Sequence, residues 1–191
     1  MTSNSSKKAV ILHGTDAGSD KNWFPWLKAE LESVGYKVWV PDLPNNHYPN
    51  AKVYNNFLHD SGWDFTDNLV IGHSSGAVSI LNLLSDDRTP KIDTGILIGA
   101  WHTNSEPWTP PSQFVNLFPK EGFDFKTIKS KSNQLIYMHG DDDPYCPLEQ
   151  AKWLANQTKS KLIIVPKGHH LGSRFSKLPE LTKVLSNINK L

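Results

Sequence analysis

Three short stretches of this chain carry residue types that together make an activated nucleophile. The first is Gly72-His73-Ser74-Ser75-Gly76. A serine hydroxyl attacks a carbonyl carbon at neutral pH only when a base takes its proton. That base in turn needs a third group to hold its tautomer. The pattern G-x-S-x-G carries this chemistry when it forms a sharp turn between a buried strand and a helix, which lifts the central serine clear of the sheet. Both flanks have that character here, Asn68-Leu69-Val70-Ile71 before the turn and Ala77 to Leu84 after it. Strand and helix pass so closely at such a turn that the positions two before and two after Ser74 must be small, as Gly72 and Gly76 are.

The second stretch, His139-Gly140-Asp141-Asp142-Asp143-Pro144, offers the acid. Asp143 is the expected choice, because Pro144 holds the residue before it in extended backbone. Asp141 and Asp142 suit turn and capping roles. Three consecutive carboxylates point in divergent directions, which disfavours a divalent metal site. The third stretch, Gly168-His169-His170, offers the base. His169, directly after Gly168, is the expected base, with His170 its rival. The backbone N–H of Ser75, at the positive end of a helix, is one expected oxyanion donor. The N–H of Thr15, after Gly14, is the other. His13, Trp23, Trp101 and His102 are candidate pocket residues, with Trp23 equally suited to a core. Nothing adjacent in sequence would activate Cys146. No metal and no cofactor are expected.

Groups this far apart along the chain meet only if a scaffold brings them together. Ala9–Leu12, Tyr36–Val40, Leu69–Ile71, Thr94–Ile98, Gln134–Met138 and Leu162–Val165 read as strands. Between and after them, Trp23–Val34, residues 51 to 60, Ala77–Leu84, Leu148–Gln157 and Leu178–Ile188 read as helices. This alternation predicts an α/β fold, a three-layer α/β/α sandwich around a mostly or wholly parallel sheet of about six strands. Catalytic groups in such a sheet belong at the carboxyl ends of the strands, where all three stretches fall. Residues 99 to 131 read as an irregular insertion, a candidate lid or pocket wall. One domain over residues 8–191 is expected, behind an irregular tail of residues 1–7.

Composition narrows the class further. The 191 residues carry 20 Lys plus Arg against 19 Asp plus Glu, a formal net charge of +1. That balance gives no electrostatic case for nucleic acid or for an anionic membrane. A single cysteine excludes an intramolecular disulfide and a cysteine-based metal cage. The apolar run Ala9–Leu12 is too short for a membrane span or a signal-peptide core. A cytoplasmic setting is the default expectation.

The chain resembles the small serine hydrolases of the retinoblastoma-binding protein 9 and YdeN type, a compact branch of the α/β-hydrolase superfamily. The resemblance runs from about Lys8 to about Asn189. It is carried by Val10-Ile11-Leu12-His13-Gly14, Trp23-Phe24-Pro25-Trp26, Gly72-His73-Ser74-Ser75-Gly76, Asp142-Asp143-Pro144-Tyr145-Cys146-Pro147 and Gly168-His169. The order serine, acid, histidine along the chain is that of α/β-hydrolase triads. The resemblance implies a reduced sheet without a large cap domain. It also implies hydrolysis of a small ester, thioester or amide through an acyl-enzyme on Ser74, with Asp143 and His169 as acid and base. An aminopeptidase-like amide hydrolase and a non-catalytic binding module on the same scaffold are the alternatives. The L-x-C-x-E peptide that gives the retinoblastoma-binding relative its name is absent, so that partner is not carried over.

Overall fold

The six apolar runs form one sheet, and their side-chain alternation divides the core into two halves. The computed structural model describes residues 7–102 and 112–191. The strands are β1 (Lys8–Leu12), β2 (Lys37–Trp39), β3 (Leu69–His73), β4 (Ile92–Ile98), β5 (Ser132–Gly140) and β6 (Lys161–Val165). The helices are α1 (Phe24–Ser33), α2 (Ala51–Asp60), α3 (Ser75–Ser85), α4 (Phe125–Ser130), α5 (Leu148–Thr158) and α6 (Pro179–Asn187). Every strand pairing is parallel, in the order β2-β1-β3-β4-β5-β6. The expected α/β sandwich is therefore present, with a wholly parallel sheet.

Successive side chains on a strand point to opposite faces. Ala9 and Ile11 thus join Ile71, Ile96, Met138 and the inner stripes of α1 and α6. Val10 and Leu12 join Val70, Leu97, Tyr137 and the buried faces of α2 through α5. Coverage on both faces explains why β3 is buried at every position. Helix α3 is buried from Ser75 through Leu84, so it is apolar around most of its girth rather than amphipathic.

The chain runs outward from β1 to β2, then crosses back to β3 on the other side of β1. Loops leaving the carboxyl ends of β1 and β3 therefore diverge and leave a crevice between them, the usual ligand position in open parallel sheets. The turn after β3 is the Ser74 turn.

One expectation is corrected. The stretch 99–131 is not irregular throughout. Its described residues contain a 3-10 turn at Ser112–Phe114 and α4, whose start is capped by the Asp124 carboxylate accepting from Lys126 N at 3.0 Å and Thr127 N at 3.2 Å. Helix α4 buries only Ile128, so it is too short to show a hydrophobic period. The rest of the lid expectation, residues 103–111, and the tail residues 1–6 lie outside the described residues. Lys7 already joins the structure, its carbonyl accepting from Lys37 N at 2.8 Å.

Candidate active site

Ser74 stands at the tip of the turn between β3 and α3 with φ 56° and ψ −126°, a left-handed conformation that non-glycine residues rarely adopt. Its N–H donates to Ile98 O at 2.8 Å, which ties the turn to the end of β4. Gly72 and Gly76 permit this geometry. A Cβ on Gly72 would lie 2.8 Å from Ala77 Cα, and one on Gly76 would strike the Leu12 and His13 carbonyls. Gly14 does the same for the neighbouring loop, since a Cβ there would lie 2.9 Å from Ser74 Cβ.

The histidine beside Ser74 is His170, not the expected His169. His170 Nε2 is 2.9 Å from Ser74 Oγ, and His170 Nδ1 is 2.7 Å from Asp143 Oδ2. A carboxylate accepts only, so Nδ1 carries the proton and Nε2 presents its lone pair to the serine hydroxyl. His169 adopts φ 48° at the tip of the loop after β6, and this turns its ring outward. There its N–H donates to Asp142 Oδ1 at 2.7 Å and its Nδ1 lies 3.0 Å from Asp142 Oδ2. The backbone of His169 also packs against Gly140, where no Cβ would fit. The glycine before His169 thus marks a tight turn rather than the histidine that meets Ser74.

The Asp143 side chain is fully buried. Burial alone would raise its pKa, but the His170 ring and the N–H groups of Tyr145 (2.8 Å) and Cys146 (3.0 Å) hold its carboxyl below the ordinary value. It remains a carboxylate, as orienting an imidazole requires. His139, wholly buried at the end of β5, braces this loop. Its Nε2 lies 3.0 Å from Cys146 O and 3.5 Å from Asp143 Oδ2.

Two further side chains hold the histidine loop, and neither role was legible in the sequence. His73 Nε2 donates to His170 O at 2.8 Å, and Trp23 Nε1 donates to Leu171 O at 2.7 Å. Burial, the largest cause, drives the His73 imidazole down to a pKa of about 3, so it is a neutral donor. Trp23 and Phe24 pack against the His73 ring from the far side. Consecutive carbonyls of one loop are thus clamped by a helix start and by the residue before Ser74. The only trace of this in the sequence is that His73 and Trp23 sit at element boundaries, where a polar tip can leave the core.

A cleft of about 540 Å³ opens over Ser74 and His170. Trp101, Phe114 and Cys146 give it an apolar wall, and Gly14, Thr15 and Asp16 form the opposite lip. Of the four expected pocket residues, only Trp101 lines it. His13 is fully buried, its Nδ1 donating to Gly14 O at 2.8 Å and its Nε2 accepting from Leu43 N at 2.8 Å, so it braces the first loop instead. Trp23 is in the core. His102 stacks on Trp153 with ring centroids 3.7 Å apart. Thr15 Oγ1 donates to Ser75 Oγ at 2.9 Å, which sets the first loop beside the first turn of α3. The leading N–H groups of a helix lack intrahelical partners, so Ser75 N–H is available to a ligand there. Burial, then the Asp143 charge, pushes the Cys146 thiol well up, so it is protonated at neutral pH.

Known proteins resemble this chain in sequence and in fold. Residues 9–187 match the family model described as serine hydrolase. YdeN of Bacillus subtilis (strain 168) is 27% identical over 95% of this chain and 96% of its own. Serine hydrolase RBBP9 of Rattus norvegicus is 23% identical over 94% of this chain and 95% of its own. The crystal structure of the B. subtilis ydeN gene product superposes with a TM-score of 0.84 at 26% identity, covering 95% of this chain and 98% of that one. Among the described residues no helix is long and apolar enough to cross a membrane.

Proposed function

The chain belongs to the serine hydrolase family, and from that premise we propose that it cleaves a small ester, thioester or amide through an acyl-enzyme on Ser74. The observation that carries this reading is the continuous relay from Ser74 Oγ through His170 to Asp143, at 2.9 and 2.7 Å. These separations fall within the reach required of a general base and its orienting acid.

In this mechanism His170 Nε2 takes the proton as Ser74 Oγ bonds to the substrate carbonyl carbon. Asp143 holds Nδ1–H and stabilises the imidazolium that forms. The charge that develops on the carbonyl oxygen is received by the N–H groups of Ser75 and Thr15, where each donor is worth about 2.7–4 kcal/mol. His170 then returns the proton to the leaving group. Water, deprotonated by the same nitrogen, frees the acyl group. The apolar wall of Trp101, Phe114 and Cys146 suits a small apolar acyl or aryl group. Residues 8–191 act as one domain in this reading, and the lone cysteine fits a cytoplasmic setting.

A fluorophosphonate probe tests the proposal. The folded protein should be labelled at Ser74, and Ser74→Ala should abolish labelling and lower kcat on a p-nitrophenyl ester by about 10⁶-fold. Full esterase activity in that variant would end the proposal. An aminoacyl anilide run beside the ester separates amide from ester hydrolysis.

A further inference from the structure

Cys146 takes no part in the acyl-transfer scheme, yet it lines the cleft beside the groups that run it. One donor atom from each of Asp143, Cys146 and His170 lies within 4.8 Å of the other two. A carboxylate, a thiol and an imidazole are the three protein donors that zinc accepts. We propose that Asp143, Cys146 and His170 form an inhibitory site for a thiophilic divalent cation such as zinc, which silences Ser74 by taking its histidine as a ligand.

The geometry needs little adjustment. Zinc bonds of about 2.3 Å to sulfur and about 2.0–2.2 Å to nitrogen and oxygen place the donors of one tetrahedral ion roughly 3.3–3.8 Å apart. A separation of up to 4.8 Å must therefore shrink by about an ångström. The 2.7 Å contact of Asp143 Oδ2 with His170 Nδ1, where both atoms are ligands, must open by about half an ångström. The open cleft leaves the fourth position to water. Charge also closes, because one thiolate and one carboxylate neutralise a divalent ion and leave no net charge in a half-buried site.

The proton balance explains the inhibition. As the sulfur–metal bond forms, the thiol releases its proton to solvent. The His170 imidazole keeps its single proton on whichever nitrogen the metal leaves free. A metal on Nδ1 breaks the link to Asp143 and puts that proton on Nε2, facing Ser74 as a donor. A metal on Nε2 occupies the lone pair that the serine proton requires. Ser74 stays protonated in either case, and nothing is oxidised or reduced.

Metal binding stands on the three side chains alone, whereas inhibition rests on the hydrolase reading. Cobalt(II) is therefore titrated first into the whole protein, following thiolate-to-metal charge-transfer absorption. The chain holds one cysteine, so such a band reports Cys146 without any variant. Zinc(II) is then titrated against p-nitrophenyl acetate hydrolysis and against fluorophosphonate labelling. The band should appear, and at zinc about tenfold above its Kd the rate should fall about tenfold and recover with a chelator. In Cys146→Ala and Cys146→Ser the band should vanish, and the ratio of rates with and without zinc, read within each variant, should lose its zinc dependence. No band in the unmodified protein, or equal inhibition of both variants, overturns the proposal. The latter would place the ion elsewhere, as on Asp142 and His169. A cobalt band in a folded protein whose Ser74 takes no fluorophosphonate would support the metal site and defeat the acyl-enzyme reading separately.

Discussion

Two histidine–aspartate pairs sit side by side on the same two loops, and only one of them reaches Ser74. His170 and Asp143 meet at 2.7 Å with side chains 16% and 0% exposed. His169 and Asp142 meet at 3.0 Å with side chains 36% and 38% exposed. The types and the spacing are identical, since each histidine lies 27 residues beyond its aspartate. The difference lies in the surroundings. The inner carboxylate is dry and receives two backbone N–H bonds, and the inner ring reaches a serine. The outer pair is solvated, and an exposed pair of this kind contributes at most about 1 kcal/mol. The two pairs thus differ in what excludes water around them and in what they can reach, more than in the residues that form them.

The comparison breaks most sharply at the histidines. His170→Ala should lower kcat by about 10⁶-fold, as far as losing the serine, because the groups act as a unit. His169→Ala should leave kcat within about twofold of the parent, as a solvated substitution does. Steady-state hydrolysis of a p-nitrophenyl ester reads both, and the reverse ranking would return the base to His169. At the acids the effect is smaller. Asp143→Asn should cost about 10⁴-fold in kcat by stabilising the wrong tautomer of His170. Asp142→Asn should again stay within about twofold, and equal losses in the two would erase the distinction.

The clamp behind the inner pair sharpens the contrast. Trp23→Phe leaves the buried Leu171 carbonyl without its donor and should cost about 1–3 kcal/mol in denaturant unfolding. It should also lower kcat while leaving the outer pair intact. The smallest effect is one of pH. The folded pKa of His73 is depressed to about 3 from an ordinary 6.5, so the unfolded chain binds the extra proton first. Its contribution is complete above pH 6.5 and is lost progressively as pH falls from there towards 3, with a slope of at most about 1.4 kcal/mol per pH unit. His73→Asn should flatten that part of the stability profile, measured by urea unfolding between pH 7 and pH 4. An unchanged slope would mean that His73 is not the buried group being protonated.

Much of the architecture was legible because its signals are local. Helix α2 falls on residues 51–60 as the sequence reading has it, and α1 and α5 differ only at their ends. Helix α4 was missed because one buried residue makes no period. The position of Ser74 was readable because its constraint is steric and acts between neighbours in the chain, through Gly72 and Gly76. His13 and His102 were misplaced as pocket residues, because whether a ring faces a cleft, a carbonyl or another ring depends on elements remote in sequence.

The amino-acid sequence alone therefore determined the six strands, the five helices that alternate with them, the largely parallel sheet and the turn that carries Ser74, since each follows from periodicity or from atoms a few bonds apart. Only the tertiary structure decided between His169 and His170. That choice hangs on one residue adopting a left-handed backbone at the end of β6, where the Gly140 backbone packs against it and Asp142 receives its N–H. Those contacts span nearly thirty residues of chain. Adjacent residues at such a turn point in opposite directions, and no pattern of residue types records which of them faces inward.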